Sequence, residues 1–190
     1  MNSQRNTGKI AETLPEEQVI CIRCGLCCDG TLFLHAHLDP GERGNLPEKI
    51  ERNSYSKQGS DYFRLPCGYF DKKCTIYNQK KANVCSGYYC QLLRDLAAGR
   101  LTFNEALAIV EDAVNMRTEI IELYRIISGK RRKTYFKKLL RVLGRMQERS
   151  TEDKPAGMDY DMLLARCNIF EVLLIRHFSQ SGEFEKMIMK

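Results

Sequence analysis

Beyond residue 90 the chain carries apolar positions at helical spacing. In "LTFNEALAIVEDAVNMRTEIIELYRII", Ile109, Ala113, Met116, Ile120, Tyr124 and Ile127 recur at helical intervals, which predicts one face laid on a core. Thr102, with Glu105 three positions on, reads as a capping box at the start of that helix, and Gly129 as its stop. "CQLLRDLAAGR" predicts a shorter helix ending near Gly99. A third helix is expected over "KRRKTYFKKLLRVLGRMQER", striped by Phe136, Leu139, Leu140, Leu143 and Met146. After the breaker-rich "STEDKPAG", Asp159 is placed to cap a last helix. Its inner face would use Leu163, Cys167, Phe170, Leu174 and Phe178.

Before residue 90 the helical period is lost. Glycines at 25, 30, 41, 44, 59, 68 and 87 interrupt the segment and make long regular elements improbable. "TLFLHAHL" alternates loosely and predicts a short strand. "ERGNLPEKIERNSYSKQGSDYFRLP" reads as a polar excursion, and residues 1–20 as a polar arm with a short helix over "PEEQVI". The break in texture divides the chain into residues 1–20, 21–95 and 96–190.

Composition sharpens that division. Of the nine cysteines, Cys21, Cys24, Cys27, Cys28, Cys67, Cys74, Cys85 and Cys90 precede residue 91, and Cys167 alone lies beyond, on an apolar helical stripe. Such segregation argues for one chemical module rather than for cysteine used as a small hydrophobe. The N-terminus has no apolar signal region and no run approaches a membrane span, so the expected compartment is the reducing cytoplasm, where stable disulfides are uncommon.

Thiolates two residues apart on a tight turn suit a soft metal. Cys21, Cys24 and Cys27 have the spacing of three cubane-cluster ligands, and Gly25 supplies the turn. The adjacent Cys27–Cys28 pair fits a larger cluster, two neighbouring sites, or one ligand and one spare thiol. Cys67, Cys74, Cys85 and Cys90 are spaced too irregularly for a zinc ribbon but suit a chain wrapping back over a site begun at Cys21. The expected cofactor is an iron–sulfur cluster, with zinc as the alternative, and all eight cysteines are candidate ligands. The expected fold is mainly α, an irregular cysteine-rich metal-binding module packed on a small C-terminal helical bundle.

The pattern resembles the family of zinc- or iron-chelating proteins known for a C-x-x-C-x-x-C-C signature, also called YkgJ-like. Cys21, Cys24, Gly25, Cys27 and Cys28 fall on that signature, and Pro66, Cys67, Cys74, Ile76, Tyr77, Cys85 and Cys90 on its second region. The resemblance covers residues 21–90 and implies zinc or iron chelation by these cysteines. Where family members often carry Arg-Pro, this chain has "NQKKANV" and an interval one residue longer.

Other side chains read less sharply. His35 and His37 share one face of the expected strand, either as an ordinary solvated face or as auxiliary ligands. Asp29 and Asp71 suit turns, with hydrogen bonds accepted near the site as the alternative. Lys130 to Arg145 is basic without an acid, in a chain of net charge +6, and predicts an amphipathic helix whose basic side reads first as a solvated bundle face, and otherwise as a surface able to meet an acidic protein, an anionic membrane or, more weakly, RNA. Dinucleotide, Walker, zincin and nucleophile-elbow motifs are absent from the sequence, so whether the protein is an enzyme stays open. The leading function is therefore binding of a cysteine-ligated metal centre. The alternatives are a structural zinc module in a protein- or RNA-binding adaptor and an iron-dependent modifying or redox enzyme.

Overall fold

The structure, a computed structural model, describes residues 14–129, 134–147 and 158–178. The fold is mainly helical. Pro15 precedes helix α1 (Glu16–Cys24), whose first turn carries Glu16 and Glu17 and whose last carries Arg23, in the order a helix dipole favours. The short helix expected over "PEEQVI" thus runs on through the first two cysteines. Gly25 ends it at φ +62°, its N–H donating to the Cys21 carbonyl. A Cβ at this position would run into the Phe70 ring, so glycine is required by conformation and by space.

Strand β1 (His35–Leu38) pairs antiparallel with β3 (Ser60–Arg64), which pairs in turn with β2 (Ser54–Lys57), giving a sheet of order β1-β3-β2. The stretch read as a polar excursion therefore holds a hairpin, preceded by the single-turn helix α2 (Glu48–Glu51). Its two-residue turn, Gln58-Gly59, has φ of +51° and +77°, the left-handed pair that matches strand twist. Ala36 opposite Phe63, and Leu38, lie on the covered side of the sheet. His35, His37, Tyr55 and Tyr62 gather on the other. A second, minimal pairing joins β4 (Phe70–Asp71) and β5 (Lys73–Cys74), and Asp71 sits beside the Lys72 turn as expected.

The single-turn helix α3 (Val84–Gly87) and then α4 (Gln91–Ala97) follow, and Gly99 turns the chain at φ +67°. Helix α5 (Phe103–Ser128) starts on the predicted capping box. Thr102 Oγ1 accepts from the Glu105 N–H at 3.3 Å, and the Thr102 N–H donates to Glu105 Oε2 at 2.7 Å. Its most buried stripe is Ala106, Val110, Ala113, Ile120 and Tyr124, while the expected Ile109, Met116 and Ile127 flank it partly buried. The difference is a small rotation of the inward face, which packs chiefly against α7 and α1 and also against α4 and α6.

Helix α6 (Phe136–Gln147) buries Phe136, Leu139 and Leu143. Helix α7 (Met158–His177) buries Leu163, Cys167, Phe170, Leu174 and, just past its end, Phe178, as the spacing predicted. Asp159 lies inside the first turn of α7 rather than at its cap. Phe136 meets Phe170 edge-on, with centroids 4.8 Å apart.

Two buried clusters result. The larger joins Ile20, Leu26 and Leu32 to α4, α5, α6 and α7; the smaller lies under the sheet around Leu38, Ile50, Phe63, Leu65 and Ile76. Phe33 packs against both. The folded contact surface of residues 21–90 is therefore an apolar core with a small sheet.

Candidate functional site

At the seam between the two clusters lies a cavity of about 220 Å³. Helix α1 contributes Cys21 and Ile22, and the turn after Gly25 contributes Cys27 and Cys28. The sheet side contributes Ala36, Phe63 and Leu65, and later segments add Cys67, Cys74, Ile76, Val84 and Cys85. Six of the eight predicted site cysteines thus line one space, although they come from four separate stretches of chain. The backbone helps to draw them together: the Cys67 N–H donates to the Cys28 carbonyl at 2.8 Å.

The other two cysteines lie off the cavity. Cys24 packs against the helical core with Arg117 nearby, and Cys90 is buried just before α4, its sulfur facing the Leu93 and Leu92 N–H groups. Cys167 is deep in the α7 core, as predicted.

Burial sets the protonation state of these thiols. It pushes Cys24 up to about 12 and Cys85 up to about 11, from an ordinary 9.0. Cys27 and Cys28 rise further, again chiefly through burial, with Cys24 the next influence on Cys27 and Cys67 the next on Cys28. Cys21, Cys67 and Cys90 are also raised by burial. Cys21 and Cys85 expose surface, yet protein atoms crowd them, and both line the cavity. At neutral pH these sulfurs are thiols, an uncharged and polarizable wall rather than a set of nucleophilic thiolates. All nine cysteines are unpaired.

This geometry corrects the metal reading. Among the described residues, no group of three or more His, Cys, Asp or Glu side chains could hold a metal ion. Zinc or a cluster iron needs sulfurs within about 2.3 Å of one point. Six of these thiols border a cavity whose wall they share with Phe33, Phe63, Leu65 and Ile76, and Cys24 and Cys90 lie off it. Among the described residues, Cys21, Cys24, Cys27, Cys28, Cys67, Cys74, Cys85 and Cys90 therefore form neither an iron–sulfur nor a zinc site, and the expected cysteine-rich metal-binding module is not found. The structural-zinc adaptor and the iron-dependent enzyme fall with it. His35 and His37 border the cavity, but their rings meet Tyr62 edge-on at 5.3 and 5.0 Å on the face of the sheet away from its core.

Two features of the site were not read from the sequence. Among the described residues, Lys81 is the only Lys, Arg, Asp or Glu lining the cavity. Its Nζ donates to the Tyr77 carbonyl at 2.6 Å and stands 4.0 Å from the centre of the Tyr77 ring. Nothing in the local pattern "NQKKANV" separates Lys81 from its neighbour Lys80. The second feature is the ion pair of Asp29 with Arg117 of α5, which ties the cysteine turn to the helical core. Asp29 also accepts the Thr31 N–H at 2.8 Å, so the expected turn role holds, with the ion pair added to it.

No family model matches the chain, and no curated protein or solved structure matches it either. The resemblance to the C-x-x-C-x-x-C-C chelating family is corrected accordingly: the signature is present in sequence, but its cysteines do not form a chelating group among the described residues.

Proposed function

We propose that the protein binds a small, largely apolar molecule in the thiol-walled cavity. The observation that carries this reading is the composition of the wall, in which aromatic and aliphatic side chains alternate with burial-neutralised thiols around about 220 Å³. Benzene is held by a cavity of about 150 Å³ lined by apolar side chains, so the space suits a single ring with a short chain. Apolar area removed from water supplies the driving force, at about 25 cal/mol per Å². Protonated thiols add contact without the desolvation cost that a carboxylate or ammonium in the same place would bring.

The test is calorimetric titration of the full-length, reduced protein with 3-phenylpropanol. Saturable binding is expected, and Ala36→Phe, which fills the cavity from the sheet side, is expected to abolish it while circular dichroism stays unchanged. No binding at millimolar ligand, or undiminished binding by a folded Ala36→Phe protein, overturns the reading.

We assign the protein to a reducing cytoplasm, supported by its nine unpaired thiols. No described helix is long and apolar enough to cross a membrane. We also propose that the basic side of α6 meets an acidic protein. Lys138, Arg141 and Arg145 are exposed there, opposite buried Phe136, Leu139 and Leu143. Lys137 is half-buried near Glu171, and residues 130–133 of the predicted basic run lie outside the described residues.

A further inference from the structure

Beside the apolar cavity lies a second space of about 280 Å³, and the two share Cys21, Tyr77, Lys81, Cys85 and Tyr88 as a common wall. The outer space is polar. Gln18, Asn78, Ser86 and Tyr89 border it, and Glu17 is its only carboxylate among the described residues. Glu17 does not reach the inner cavity, whereas Lys81 lines both. An elongated molecule lying with its apolar end inside therefore brings its other end to an ammonium before it meets a carboxylate.

Lys81 is equipped to receive such a group. An ammonium has three donors, and one is committed to the Tyr77 carbonyl at 2.6 Å. The same bond, with the Tyr77 ring 4.0 Å beneath, fixes the head of the side chain at the boundary instead of leaving it to sweep through solvent. The remaining N–H groups sit where the wall passes from apolar to polar, so a charge placed there keeps much of its attraction while its far side stays hydrated.

We infer that the molecule held in the cavity is a small apolar acid, its ring or branched chain against the thiols and its anionic group on Lys81. This rests on the proposal that the cavity binds a small apolar molecule, and it adds the chemical class of that molecule. The anionic group could be a carboxylate or a sulfonate; Lys81 reads charge rather than the planar fork that an arginine would select.

The experiment compares a matched pair on the full-length, reduced protein, 3-phenylpropionate against 3-phenylpropanol, by calorimetric titration of the wild type and Lys81→Met. The wild type is expected to bind the acid about tenfold more tightly than the alcohol, with the difference shrinking as salt is raised. Lys81→Met is expected to lose that preference and keep its affinity for the alcohol. Equal affinities in the wild type, or a preference for the acid that survives Lys81→Met, overturns the inference while leaving the cavity reading in place. Failure of the wild type to bind either compound overturns both.

Discussion

A thiol held in its protonated form is a stability device with a defined pH window. Unfolded thiols ionise near 9.0, while folded Cys85 does so at about 11 and folded Cys24 at about 12. Between these limits the folded chain binds more protons than the unfolded chain, so stability falls as pH rises. The contribution is fully present below about pH 9 and is lost progressively towards pH 12. Urea midpoints measured from pH 8 to 11 are expected to drop steeply in the wild type and less steeply in Cys24→Ala; equal slopes would sink the assignment. The Asp29–Arg117 pair gives a second prediction at this scale. The two side chains are 11% and 21% exposed, so removing one leaves the other charged and poorly solvated. Asp29→Ala, which also strips the Thr31 N–H of its acceptor, is expected to cost on the order of 3 kcal/mol in urea denaturation. The double variant Asp29→Leu/Arg117→Met should recover a large part of that loss. Neither partner announced the other in the sequence, because the pairing joins a turn to a helix many residues away.

Among the elements, those legible in the sequence are the ones whose determinants are local. Thr102 and Glu105 sit three residues apart and make their reciprocal bonds within one turn, so the start of α5 could be read from four letters. Thr102→Ala is expected to cost about 1 kcal/mol, checked by thermal or urea denaturation, with little change in helix content of the folded state. The inner face of α7 was equally readable, because a single apolar stripe meets a single core. The hairpin was missed for the opposite reason. β2 and β3 bury Phe63 fully and little else, and the outer face of the sheet is assembled from Tyr55, Tyr62, His35 and His37, which do not alternate cleanly with apolar neighbours. The usable signal was the Gln58-Gly59 dipeptide, a weak form of the left-handed two-residue turn.

For the whole molecule, the gathering of cysteines at one place was legible and their purpose was not. Spacing along the chain reports which thiols belong together, and six of them do border one cavity. It does not report whether their sulfurs converge on a point or spread over a surface, because that depends on Phe33, Phe63, Leu65 and Ile76 from other elements. Lys81 was illegible for the same reason: its bond to the Tyr77 carbonyl is local, but Glu17, Gln18 and Cys21, which share the outer wall with it, come from α1, far off in sequence. The bond from the Cys67 N–H to the Cys28 carbonyl bridges the α1 turn and the sheet side across the cavity seam. Hydrogen exchange at that single amide therefore clocks the parting of the two walls, whereas amides in the middle of α5 clock loss of the entire helical core. If the walls part as a unit smaller than the whole fold, the Cys67 amide exchanges faster than those of Ala113 and Ile120, and a molecule bridging the seam slows Cys67 first.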